Sequence, residues 1–176
     1  MSARSRVVTW SLAALAGAVA VPRPEPLVDL RAPLALGLVT GIGLYVVLSR
    51  SVRVRVRTPG AIARIVYVAT RAAYEEAVWR LCLLGLLTAA FGPAVGLALT
   101  TAAFALSHWP RQGGKAVVHF VTGATFGSVF LVTGSFAAAA AAHVAYNALV
   151  ATNHRPFWPI GGARLPPYDP VDAAAR

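Results

Sequence analysis

Two adjacent carboxylates, Glu75 and Glu76, precede Arg80 and a window of thirty residues, Leu81 to Pro110, that lacks Asp, Glu, Lys and Arg. A charged side chain inside a membrane span costs roughly 2.5–3.5 kcal/mol even on lenient insertion scales, so charges kept there are expected to do something. Glu76 and Arg80 are four residues apart and face each other on a helix, which makes them a structural ion pair. That leaves Glu75 as a carboxylate with no helical partner, able to take a proton from water. Other polar side chains interrupt the later apolar stretches. His108 ends Phe104-Ala-Leu-Ser-His108, and His143 and Asn147 bound His143-Val-Ala-Tyr-Asn147. A carboxylate and a histidine can hold and deprotonate a water. A second histidine and an asparagine amide can donate hydrogen bonds to a developing oxyanion. These are parts for hydrolysing a peptide bond without a covalent intermediate. Alternatively, Glu75, His108 and His143 could hold a zinc ion whose bound water is the nucleophile.

The elements that must position these groups are apolar helices. Apolar residues make up 57% of the chain and charged residues only 12%, against about 25% charged in a soluble domain. The apolar residues come in blocks. Val7 to Pro22 and Ala32 to Ser49 carry no formal charge, and a window of thirty-nine residues runs uncharged from Ala116 to His154. A span needs about 20 apolar residues, so the two long windows each suit two helices. Breaks fall at Gly92-Pro93 and at Gly134-Ser135, residues that favour helix ends. The spacing predicts six spans near residues 7–22, 33–49, 72–91, 94–109, 116–133 and 135–152. Residues 61–72 read as an amphipathic lead-in to the third span. The expected fold is an all-α polytopic transmembrane bundle, a single domain over residues 1–152. A Pro-, Gly- and Arg-rich cytoplasmic tail follows over 153–176. Residues 1–22 can also be read as a cleavable signal peptide, although Pro22 sits awkwardly after a cleavage site.

The formal charge of +10 fits this topology better than it fits nucleic-acid binding. Cytoplasmic loops accumulate Lys and Arg. With the N-terminus in the cytoplasm, thirteen basic residues fall inside, including the run Arg50, Arg53, Arg55 and Arg57; Arg23 and Arg31 fall outside and Arg80 lies within a span. Both termini are then cytoplasmic, and the basic 50–58 segment lies against anionic lipid. The same orientation puts Glu75, His108, His143 and Asn147, from three spans, in the cytoplasmic half of the bilayer. Cys82, the only cysteine, excludes an internal disulfide and reads as packing.

Glu75-Glu76-Ala-Val-Trp-Arg80 matches an EExxxR motif, Phe104 to His108 matches FxxxH, and His143 to Asn147 matches HxxxN. In order and separation these resemble the CPBP (CAAX protease and bacteriocin-processing, or Abi) intramembrane proteases, which include the Ras-converting CAAX endopeptidases. The resemblance covers about residues 60–152. It implies that Glu75 is the general base, that His108 helps bind the water, and that His143 and Asn147 form the oxyanion site. Glu76 and Arg80 would be supporting members. The resemblance favours a metal-free, glutamate-dependent mechanism, with zinc as the alternative. It points to a peptide or membrane-protein substrate, prenylated or not. Trp79 stands where the family usually has phenylalanine, and Leu81 where it usually has glycine. These departures and the small number of spans bear on substrate range.

The expected function is an intramembrane endopeptidase of a bacterial plasma membrane, acting at the cytoplasmic side. Two other classes compete. One is a non-catalytic bacteriocin-immunity or sorting factor on the same scaffold. The other is a small proton-coupled transporter, since intramembrane Glu and His also build relays. Blander roles exist for single residues: an interfacial histidine for His108, interhelical hydrogen bonding for His143 and Asn147. His119 matches no motif and reads as a packing or pore-facing residue.

Overall fold

A glycine with positive φ ends each of three helices, and these reversals shape the fold. The computed structural model describes residues 29–49 and 59–152. The expected span at 7–22, the basic 50–58 segment and the tail at 153–176 lie outside the described residues. Among the described residues every regular element is helical. Helix α1 is Arg31–Ser49 and α2 is Pro59–Glu76. Helix α2 runs without a break into a π-helical segment, Ala77–Leu84, and on into α3, Gly85–Phe91. Gly92 (φ 81°) turns the chain, and α4 follows as Pro93–Gln112. Gly113 (φ 54°) turns it again into a short 3₁₀ segment, Gly113–Val117, and α5, Val118–Thr133. Gly134 (φ 62°) closes α5 in the left-handed conformation, its N–H donating to the Phe130 carbonyl. The Ser135 hydroxyl then accepts from the Ala138 N–H at 3.2 Å, an N-cap for α6, Phe136–Thr152.

The expected breaks at Gly92-Pro93 and Gly134-Ser135 are therefore helix ends. The lead-in at 61–72 is not a separate element, because nothing between Pro59 and Phe91 interrupts the helix. Instead the helix widens. The Gly85 N–H donates to the Arg80 carbonyl five residues back, the bond pattern of a π-helix, which recurs at functional sites.

Two stretches are long and apolar enough to cross a membrane: α1, and the run from Pro93 to Thr133 that contains α4 and α5. Their outward side chains are apolar: Val47 is 72% exposed and Val132 79%. In water such a surface would be a large apolar patch. In lipid it costs nothing.

Inside, small residues let helices approach closely. Helix α1 packs chiefly on α6 along the stripe Gly37, Gly41 and Tyr45, all buried. A Cβ built at Gly37 would collide with the Ala138 carbonyl, and one at Gly41 with that of Ala142. Contacts advance in the same direction on both helices, so α1 and α6 run parallel. This is a small-xxx-small interface of the kind membrane helices use. Tyr45, Phe126, Ala142 and Tyr146 form the buried core beside it. Helices α4 and α5 run antiparallel, with Gly123 against Phe104 and Gly127 against Leu97.

Candidate functional site

Glu76 and Arg80 are completely buried. The Arg80 Nε donates to Glu76 Oε2 at 2.8 Å, and its Nη2 to Glu76 Oε1 at 3.3 Å. From α6, the His143 Nδ1 lies 2.9 Å from Glu76 Oε1. With Arg80 beside it the carboxylate is the acceptor, so Nδ1 carries the proton and Nε2 points away from the pair. Glu76 thus joins Arg80, four residues on along its own helix, to His143, 67 positions away in sequence. The Arg80 Nη1 is buried with no hydrogen-bond partner among the described residues.

Glu75 is placed differently. Its side chain is 17% exposed, and the Arg71 Nε donates to its Oε1 at 2.8 Å. The expectation that Glu75 has no helical partner is therefore corrected. Arg71, four residues earlier, occupies the same relation to Glu75 that Arg80 holds to Glu76, mirrored along the helix. Nor does His143 bond Glu75. It reaches the inner carboxylate, because α6 packs on the face of α2 that carries Glu76.

Phe104 organises the histidines. It is 1% exposed, and four rings meet it edge-on: Trp79 at 5.4 Å, His108 at 4.8 Å, His119 at 5.5 Å and His143 at 6.2 Å between centroids. The Arg80 guanidinium lies 5.7 Å from the same ring's centre, within cation–π range. Phe104 is the first position of the FxxxH motif, and its ring is the surface on which the three histidines and Trp79 meet. Two parallel stacks flank it. His143 lies on Phe126 at 4.7 Å, and His108 on His119 at 3.9 Å, each with an interplanar angle of 26°.

His108 Nδ1 lies 2.9 Å from its own helix's Phe104 carbonyl. A carbonyl only accepts, so Nδ1 carries a proton and Nε2 is the ring nitrogen turned away from the helix's own backbone. The Ser107 hydroxyl donates to that same carbonyl at 2.7 Å. Asn147 is half-buried one turn beyond His143 on the same face of α6 and makes no side-chain hydrogen bond among the described residues. The structure thus gathers Glu76, Arg80 and His143 by direct bonds, and His108, His119 and Phe104 by ring contacts. The Arg71 guanidinium, His108 and His143 are all close enough to act electrostatically on His119. Arg71 and Gln112, which bonds His119, carry no site role in the sequence reading, and His119 reads there only as a packing or pore-facing residue. The first was visible in the i, i+4 spacing. The other two carry no motif.

The zinc alternative asks Glu75, His108 and His143 to converge. Among the described residues no three His, Cys, Asp or Glu side chains are grouped to hold a metal.

Comparison with known families matches residues 57–149 to one described as Type II CAAX prenyl endopeptidase Rce1-like. No curated protein matches the chain, and no solved structure does.

Proposed function

The chain belongs to the Type II CAAX prenyl endopeptidase Rce1-like family, and from that premise we propose that it is an intramembrane endopeptidase cutting peptide bonds at the cytoplasmic side of the membrane. Glu75 is the general base. The observation that carries this choice is the inequality of the two carboxylates. Both oxygens of Glu76 are taken, by Arg80 and His143, with no surface open. Glu75 is held through one oxygen by a half-exposed arginine and keeps the other for water.

In the proposed reaction a water lies between Glu75 and His108, donating one proton toward the carboxylate and the other toward the His108 Nε2 lone pair. Glu75 takes its proton as the water oxygen bonds to the scissile carbonyl carbon. The carbonyl π electrons move to oxygen, and that oxyanion accepts hydrogen bonds from the Asn147 amide and from His143. Because the His143 Nδ1 proton faces Glu76, donation from His143 to the oxyanion is through Nε2 and needs a proton on that nitrogen as well. The oxyanion then collapses, the C–N bond breaks, and Glu75 returns its proton to the leaving amine. No metal enters these steps. Glu76 and Arg80 orient His143 and touch no substrate.

The six-span topology with both termini cytoplasmic is part of the same proposal. The parallel run of α1 and α6 supports it, since a second and a sixth crossing must point the same way. A bacterial plasma membrane, with a prenylated peptide, another peptide or a membrane protein as substrate, completes the reading.

The test is cleavage of a farnesylated CAAX-type peptide by the purified full chain in detergent, read by mass spectrometry. The wild-type protein should release the C-terminal tripeptide. Glu75→Gln should lose about 10²–10⁴-fold in rate, the usual contribution of a positioned general base, while accumulating normally. Undiminished cleavage by that variant refutes the proposal, and no cleavage by the wild type removes the prenylated peptide from it.

A further inference from the structure

His119 belongs to none of the three motifs, yet its ring lies nearer to the ring of the proposed water-binding residue than the Phe104 ring does. It lies in the first turn of α5. Its ring is stacked on His108 at 3.9 Å and 26°, and meets the edge of Phe104 at 5.5 Å and 90°. Its Nε2 lies 3.0 Å from the Gln112 Oε1. An amide oxygen only accepts, so the His119 Nε2 carries a proton there. Gln112 is the last residue of α4, and the bond therefore bridges the Gly113–Val117 turn and ties the start of α5 to the end of the helix that carries His108.

The torsion that swings a histidine ring is broad and only loosely fixed by its own backbone. The bond from His108 Nδ1 to the Phe104 carbonyl fixes one atom of the ring. A plane needs more. The Phe104 edge bounds the ring on one side, and the His119 face bounds it on the other. We infer that His119 is a positioning residue. Its ring is the wall against which the His108 imidazole is held with Nε2 turned toward the reacting water, and Gln112 anchors that wall. This rests on the reading of His108 as a water-binding residue given above. His119 touches neither water nor substrate. The charged and titratable groups that face it are His108, His143 and Arg71.

The full chain in detergent, with the farnesylated CAAX-type peptide as probe, tests this with four variants. His119→Ala removes the stack and the anchor, and kcat should fall about three- to tenfold with KM unchanged, the worth of one aromatic contact. His119→Phe keeps a flat ring and should stay within about twofold of the wild type. Gln112→Ala should fall between them. Glu75→Gln serves as the reference for the reaction itself. ¹⁵N spectra of histidine-labelled protein give a readout independent of turnover. His108 should carry its proton on Nδ1 in the wild type and in His119→Phe, and should show mixed tautomers in His119→Ala. The inference fails if His119→Ala keeps both kcat and the His108 tautomer. It also fails if His119→Phe is as impaired as His119→Ala, or if the loss of kcat merely follows a loss of folded protein. Full activity in Glu75→Gln would instead overturn the reaction, leaving the nitrogen spectra to decide the stack.

Discussion

Replacing Glu76 with Gln changes one atom and should remove a large part of the protein's stability. The carboxylate accepts through both oxygens: Oε2 from Arg80 Nε at 2.8 Å, and Oε1 from His143 Nδ1 at 2.9 Å and Arg80 Nη2 at 3.3 Å. An amide has one oxygen. If it takes the Oε1 position, the new NH₂ meets the Arg80 Nε, donor against donor. If it takes the Oε2 position, the NH₂ meets His143 and Nη2. In either orientation a fully buried guanidinium loses its countercharge and at least one bond. Breaking a buried pair by removing one partner costs about 3–5 kcal/mol, and the one bond retained points to the lower end, about 3 kcal/mol. An uncompensated charge within a span gives a similar figure, ~2.5–3.5 kcal/mol. Against a total stability of about 5–15 kcal/mol this is a severe loss. Adding Arg80→Met removes the stranded charge, and the double variant should recover about 2 kcal/mol relative to Glu76→Gln alone. Equilibrium unfolding in mixed micelles, followed by tryptophan fluorescence with Trp79 beside the pair, measures all four corners of the cycle. If Glu76→Gln costs under about 1 kcal/mol, or the double variant is no better than the single ones, the pair is screened and the reasoning from burial is wrong.

Gly41→Leu should prevent α1 from seating on α6, because even a Cβ there strikes the Ala142 carbonyl, whereas Gly43→Ala meets nothing within 4 Å; size-exclusion profiles should show aggregation for the first and an unchanged monodisperse peak for the second. Arg71→Ala breaks an ion pair whose arginine side chain is 42% exposed, so the unfolding midpoint should hardly move, by at most about 1 kcal/mol, while freeing the Glu75 carboxylate should alter kcat measurably. Chelators such as EDTA or phenanthroline should leave peptide cleavage unchanged, and elemental analysis should find less than one zinc per chain, since no three metal-ligating groups converge among the described residues.

Local signals in the sequence proved sound, and pairings across the bundle were invisible. Gly92-Pro93 and Gly134-Ser135 are legible as helix ends because only glycine takes positive φ at no steric cost, and both do. The Glu76–Arg80 pair is legible because a helix brings residues four apart together. The same rule holds Arg71 to Glu75, but a charge at the foot of a span reads equally well as a topological marker. The bond from His143 to Glu76 has no such signature. It depends on which face of α2 the last described helix covers, and an apolar all-round helix gives no stripe to tell. The π-helical segment is equally silent, since neither proline nor glycine marks where the turns widen. Gly37 and Gly41 sit four apart in an apolar run, and nothing local tells that Ala138 and Ala142 lie against them.

The dependence of α1 on α6 sets an order of events during synthesis. Helix α1 emerges early, with its glycine stripe and Tyr45 facing lipid. Its partner surface, Ala138 and Ala142, is made about ninety residues later, and at roughly 5–20 residues per second the wait lasts several seconds. Glu76 and Arg80 enter the bilayer already paired on one helix. His143 and Asn147 arrive only with α6, the same helix that retrieves α1. A growing chain therefore carries the proposed base, Glu75, long before the proposed oxyanion donors are made. The docking that completes the bundle is also the event that would arm it, so an incomplete ribosomal product should be harmless to the membrane proteins around it.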